Sequence, residues 1–415
     1  MARAAVKVPV IAEFERAAAV VSEAASVTPL LRSNFLSGQV GADIHLKCEN
    51  LQRTGAYKVR GAYYRMSKLS AEERARGVVA ASAGNHAQGV ALAAAKLGVR
   101  ATVFMPVGAS LPKYQATVDY GAEVVLEGAI FAETLLAAQS FAKSSHATFI
   151  PPYDHRDVVI GQGTVGIELL EQAPDLDCVI VPIGGGGLAA GVAVAAKLKA
   201  AEAGRKLKVI GVQAANAAAF PASLRAGEPT AVQVSPTIAD GIAVSKPGAI
   251  PFALISEFVD KVVTVTEDEI AKAMLVMLER SKLVVEPAGV VGVAALLSGA
   301  VKAKGKVAVV LSGGNIDPLL LTKVIGHGLA ASQRYTTISV MLPDRPGQLV
   351  RTAEAVASAH GNVVEVLHTR HGHGMQLNEV ELRLSVETRG REHREQVLQA
   401  LREAGLQPRI EAEDL

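Results

Sequence analysis

The chain has 415 residues, half of them hydrophobic and 20% charged, with a formal net charge of +2, enough for two or three domains with ample core. The near-neutral balance, 4% aromatic content and lack of Trp argue against nucleic acid as the main partner and point to small molecules. No signal-type N-terminus and no membrane-spanning apolar run stand out, so a cytoplasmic location is expected. Cys48 and Cys178 follow no metal or redox spacing and read as two reduced thiols.

In chain order, "LKCENLQRTGAYKVRGAYYRM" (46–66) carries Lys58 shortly after a Thr54–Gly55 turn, at the opening of a helical pattern. "GVVAAS" (77–82) reads as a buried strand, and "HAQGVALAAAKLG" as a following helix ended by Gly98. "RATVFMP" is the next strand, "SLPKYQATVDYGA" a helix stopped near Gly121, and "EVVLEG" another strand. The rhythm returns at "DCVIVPI", "KLKVIGVQ" (206–213) and "KVAVVLSGGN" (306–315). Repeated strand–helix–strand units predict an α/β body whose parallel sheets are covered on both faces.

The pattern changes near Arg334. "TTISVML" reads as a strand, "PDRPGQ" as a turn with Pro346 suited to a first helical position, and "LVRTAEAVASAHG" as a helix closed by Gly361. A hairpin of "NVVEVLHT" and "QLNEVELRLSVET", the amphipathic "REHREQVLQALREAG" and a short last strand complete a βαββαβ order, the ferredoxin-like unit. The histidines of "HTRHGH" (368–373), on the hairpin tip, lack a fourth metal ligand and read as a solvated loop.

The run "VIVPIGGGGLAAGVAVAAKL" (179–198) sets Gly184 to Gly187 between a strand and a helix, a pattern that brings backbone amides close to a phosphate. A triphosphate loop needs a Lys-Ser or Lys-Thr pair after the glycines, and Leu188 and Ala189 stand there instead. Gly184, Gly186 and Ala189 match the dinucleotide pattern, yet the next strand ends in Gln213 where an acidic residue for the ribose is expected. A small phosphorylated cofactor such as pyridoxal phosphate needs no ribose partner, but it needs a lysine.

The segment around Lys58, with "SAGNHAQG" (82–89), "GGGGL" (184–188), "TIADGIAV" (237–244), "EPAG" (286–289) and "SGGN" (312–315), resembles the fold type II pyridoxal-phosphate enzymes. Among them the chain is similar to the threonine dehydratases, or threonine ammonia-lyases, collinearly over roughly residues 20–325. The tail resembles the single ACT-type regulatory domain of that family's medium-length members. The resemblance implies a catalytic domain over 1–330 with two parallel-sheet subdomains, the smaller near 55–155, and an ACT domain over 334–415.

Carried over residue by residue, the resemblance makes Lys58 the Schiff-base lysine and later the general base at Cα. It makes Asn85 the partner of the cofactor's ring hydroxyl, and the amides of Gly184, Gly185, Gly186, Gly187 and Leu188 the phosphate site. Ser312 faces the pyridine nitrogen, and Ser82, Gly84, Asn85 and His86 surround the substrate carboxylate. Glu286 reads as structural or supporting. The implied reaction takes L-threonine to 2-oxobutanoate and ammonia, with L-serine to pyruvate beside it. The alternatives are a serine racemase or another β-hydroxy amino acid dehydratase and, from another class, an amino-acid sensor without catalysis.

Serine racemases carry a second serine where this chain has Ala83, which favours dehydration. Related enzymes bind a divalent cation through carboxylates where this chain has Gln213 and Ala219, so no metal is expected. The ACT resemblance leaves two readings of the tail, a site for an amino-acid effector such as isoleucine or valine or a dimerisation module without ligand; a homodimer or homotetramer is expected, and the composition points to no nucleic-acid or membrane partner.

Overall fold

The computed structural model describes residues 6–370, 376 and 378–411; His371 and His373 of the histidine-rich tip lie outside them. Among the described residues, ten strands belong to the region before Pro318. They are β1 (Leu30–Arg32), β2 (Asp43–Lys47), β3 (Val78–Ala81), β4 (Ala101–Met105), β5 (Glu123–Leu126), β6 (Thr148–Phe149), β7 (Cys178–Pro182), β8 (Lys208–Ala214), β9 (Lys261–Val265) and β10 (Lys306–Val310). One sheet runs β1-β2-β10-β7-β8-β9, parallel except for β1 against β2; the other runs β5-β4-β3-β6, parallel throughout. Strands β3, β4 and β7 are buried along their whole length, as sheets covered on both faces require.

The four-stranded sheet falls within the segment expected to form the smaller subdomain. Helix Asn85–Leu97 follows β3 and ends at Gly98, whose φ of 63° is the left-handed cap that glycine supplies cheaply. Helix Arg156–Gln172 is buried on nearly every side, which suits its place at the centre of the unit. It lies backbone against backbone on helix Gly187–Glu202: a Cβ on Gly191 would stand 2.3 Å from the Val159 carbonyl oxygen. Only glycine permits that approach, and it fixes the helix that the glycine run opens.

The chain divides into two compact units, Met1–Pro318 and Leu319–Leu415, and helix Pro318–Ala331 begins at the division. The second unit contains β11 (Tyr335–Pro343), β12 (Asn362–Thr369), β13 (Glu379–Glu387) and β14 (Pro408–Ile410). They form an antiparallel sheet in the order β12-β13-β11-β14, the ferredoxin-like arrangement. Its core is Ile338, Val340 and Leu342 of β11 and Leu382, Leu384 and Val386 of β13 against Val356, Val397 and Leu401 of the helices.

Two local expectations shift in this unit. Helix Gln348–Ser358 starts after Gly347, which caps it at φ 89°, so Pro346 precedes the cap rather than opening the helix. The left-handed residue after that helix is His360, at φ 61°, and not Gly361. Gly361 is there for space, because a Cβ on it would stand 2.8 Å from Val356 Cγ1.

Among the described residues no helix is long and apolar enough to cross a membrane.

Candidate active site

Lys58 is the first residue of helix Lys58–Ser67, and its Nζ donates to the Pro152 carbonyl at 3.1 Å. Burial brings the Lys58 ammonium down to about 8, opposed by the nearby Glu286 carboxylate. The segment before it is clamped: the Tyr57 amide donates to the Ser312 carbonyl at 3.2 Å, and the Gly314 amide donates to the Gly55 carbonyl at 2.8 Å. Ser312 is buried just beyond the C-terminal end of β10. The clamp therefore fixes it beside the root of Lys58.

The second wall is the turn from β3 into helix Asn85–Leu97. Ser82 Oγ accepts from the Gly84 amide at 3.1 Å. A Cβ on Gly84 would meet nothing within 4 Å, so open space faces this position. Asn85 Nδ2 donates to Glu286 Oε1 at 2.7 Å, and Asn85 Oδ1 accepts from Asn315 Nδ2 at 2.8 Å. Burial pushes the Glu286 carboxyl up to about 7, with the Asp240 carboxylate adding to the shift and the Asn85 bond, Lys113 and Lys58 opposing it. His86 Nε2 donates to the Ile150 carbonyl at 2.9 Å, and burial first, then the Lys58 charge, holds the ring neutral by lowering it to about 3.

The third wall is the glycine run. Gly186 precedes helix Gly187–Glu202 at φ 99°, a left-handed conformation. A Cβ on Gly185 would stand 2.4 Å from ring atoms of Tyr153, so no side chain fits there. Among the described residues, no backbone or side-chain acceptor takes the amides of Gly184, Gly185 and Gly186, and those of Gly187 and Leu188 belong to the helix's open first turn. Buried amides left without acceptors at a helix N-terminus fit an anion, and a phosphate in particular.

Beneath Lys58 lies a buried set of charges. Arg60 (1% exposed) forks onto Glu49 with two contacts of 2.8 Å and onto Glu168 at 2.6 and 3.0 Å. Lys47 Nζ meets Glu168 at 2.6 Å and the Thr28 carbonyl at 2.8 Å. The opposite charges balance, which allows them to stay ionised in the interior. Gln213 is tied into the fold: its Nε2 donates to the Ile183 carbonyl at 3.3 Å and its Oε1 accepts from the Phe220 amide at 2.8 Å.

The structure thus brings Lys58, Asn85 and Ser312 together through short contacts and joins them to the glycine run through residues 150–153. Sequence reasoning left Asn315 and Tyr153 unassigned. Asn315 lay within the quoted "SGGN" stretch, whereas no local signal marks Tyr153.

A family model described as pyridoxal-phosphate dependent enzyme matches residues 21–313, and an ACT domain model matches residues 336–405. L-threonine ammonia-lyase of Thermotoga maritima is 47% identical over 92% of this chain and 94% of its own length. The processed form of threonine deaminase isoform 2 from Solanum lycopersicum superposes with a TM-score of 0.72 at 36% identity, covering 76% of this chain and 93% of that one. Maize serine racemase gives a TM-score of 0.72 at 33% identity, covering 78% of this chain and 99% of that one. By its fold, its lysine and its glycine run, this chain belongs to the pyridoxal-phosphate-dependent enzymes, with an ACT domain following the catalytic body.

Proposed function

We propose that the chain is an L-threonine ammonia-lyase, converting L-threonine to 2-oxobutanoate and ammonia and L-serine to pyruvate and ammonia. The carrying observation is Lys58, a half-buried residue whose amine is lowered to about 8, meets Pro152 on one side and feels the Glu286 charge on the other. The similarity to L-threonine ammonia-lyase of Thermotoga maritima supports the choice of substrate.

Pyridoxal phosphate, when bound, supplies the electron sink for the bond broken at Cα. The residues of the chain do the rest. Lys58 would hold the aldehyde end of the cofactor and, as a free amine, would take the Cα proton; its lowered affinity for protons leaves a usable neutral fraction near pH 7. Gly184 to Leu188 hold the phosphate with amides that have no other acceptor. Asn85 has one Nδ2 hydrogen left after Glu286, and it serves the ring hydroxyl. Ser312 offers the pyridine nitrogen a neutral hydroxyl, which does not hold that nitrogen protonated as a carboxylate would. The free amides at the start of helix Asn85–Leu97, with Ser82 and neutral His86, receive the substrate carboxylate.

Ala83 favours elimination over racemisation, because the serine that would reprotonate from the opposite face is missing. The ACT domain binds an amino-acid effector, isoleucine or valine, and the enzyme works in the cytoplasm as a homodimer or homotetramer. Purified protein loaded with pyridoxal phosphate is expected to release oxo acid from threonine and serine, since one methyl discriminates by only about 1–3 kcal/mol. Formation of D-serine in excess of oxo acid would replace this reading with racemase activity. A chain shortened after residue 333 is expected to keep catalysis and lose the response to isoleucine or valine; an unchanged response would refute the regulatory role.

A further inference from the structure

Residues 150–154 touch every wall of the site. The Ile150 carbonyl accepts from His86 at 2.9 Å, and the Pro152 carbonyl accepts from Lys58 at 3.1 Å. The Tyr153 ring lies on the glycine run where a Cβ of Gly185 would stand, and its Cβ is 3.0 Å from where one of Gly187 would stand. Asp154 then reaches across to another element. Its carboxylate accepts from the amides of Ala249 at 3.0 Å and Ile250 at 2.9 Å, the first residues of helix Ala249–Phe258.

That helix holds the glycine run from a second side. The Gly248 amide donates to the Gly185 carbonyl at 3.2 Å, and a Cβ on Gly186 would stand 2.7 Å from Pro251 Cβ. A Cβ on Gly248 would stand 2.9 Å from Asp154 Cβ, so the two pieces meet without a gap. The glycine run is therefore held between Tyr153 and the 248–251 turn, and the Asp154 carboxylate ties these two together. Binding the Gly185 carbonyl from one side fixes the peptide plane whose neighbouring amides face the anion.

We propose that Asp154 is a positioning residue of the phosphate site: through the amides of Ala249 and Ile250 it holds the 248–251 turn and Tyr153 on the glycine run, and so sets the amides of Gly184 to Leu188. The proposal rests on the reading of those amides as the cofactor's phosphate cradle. Asp154 acts only through the Ala249 and Ile250 amides and its packing on Gly248.

The test compares two cofactor forms on the full-length protein, stripped of cofactor and reloaded: pyridoxal phosphate and pyridoxal, which lacks the phosphate. Asp154→Ala is expected to weaken pyridoxal phosphate about five- to tenfold, the scale of a lost helix cap, while changing pyridoxal by less than about twofold. Asp154→Asn, which keeps one acceptor, is expected to recover most of the loss. Unchanged affinity for pyridoxal phosphate in Asp154→Ala, or equal weakening of both forms, would overturn the proposal. A wild-type protein that binds both forms equally would instead remove the phosphate-cradle reading, and the role of Asp154 with it.

Discussion

Asn85 and Glu286 share a hydrogen bond of 2.7 Å from Nδ2 to Oε1, and with Asn315 donating to Oδ1 the amide of Asn85 has one orientation available. Sequence reading placed Asn85 in the site and Glu286 in support. The bond gives that support a definite form: Glu286 decides which way Asn85 points its remaining donor.

Glu286 also makes the protein's stability depend on pH. Its folded value, about 7, lies above the ordinary value of 4.5. Its favourable contribution is therefore full below about 4.5 and is lost as pH rises through about 7. Glu286→Gln cannot ionise. The variant's stability relative to wild type, measured by urea unfolding of the cofactor-free protein, is expected to rise between pH 5 and 8 by on the order of 1–3 kcal/mol. A difference that stays flat with pH contradicts the assignment.

Lys58 predicts a second pH dependence. With its folded value lowered to about 8, the neutral amine that captures an aldehyde is a minor species at pH 7 and dominant above 8. The rate at which cofactor-free protein takes up pyridoxal phosphate covalently should rise about tenfold per pH unit below 8 and level off above it. A rate still climbing through pH 10 would mean an ordinary, solvated lysine.

The charges beneath Lys58 carry a stability prediction. Arg60→Met leaves Glu49 and Glu168 buried with only Lys47 to balance them. A loss of about 3–5 kcal/mol is expected in chemical denaturation. A loss under about 1 kcal/mol would show that water reaches this cluster.

Much of the fold could be read from residues because its signals are local. The apolar runs of β3, β4, β7, β8 and β10 and the glycine stop at Gly98 stand out in the chain. The antiparallel edge pair of β1 and β2 did not, since short strands such as Leu30–Arg32 take their conformation from the neighbour they pair with. Strand β9 (KVVTV) and the two-residue β6 were missed for the same reason.

In the site, Lys58, Asn85, Ser312 and the glycines carry motif signals. The Pro152 carbonyl, the Tyr153 ring and the Asp154 cap act through backbone atoms and distant partners, as in the contacts from Asp154 to Ala249 and Ile250. Such roles depend on tertiary contact and leave no spacing to read. Gln213 shows the converse, a position read only for the acid it lacks, whose amide proved to tie the end of β8 to Ile183 and Phe220.

The proposed reaction requires Lys58 to be the cofactor's covalent anchor. Borohydride reduction of the protein loaded with pyridoxal phosphate, followed by peptide mass spectrometry, tests it most directly. A phosphopyridoxyl group is expected on Lys58, with neither that label nor oxo-acid formation from threonine in Lys58→Ala. A label on another lysine such as Lys113, or a Lys58→Ala protein that still releases 2-oxobutanoate at the wild-type rate, would contradict it.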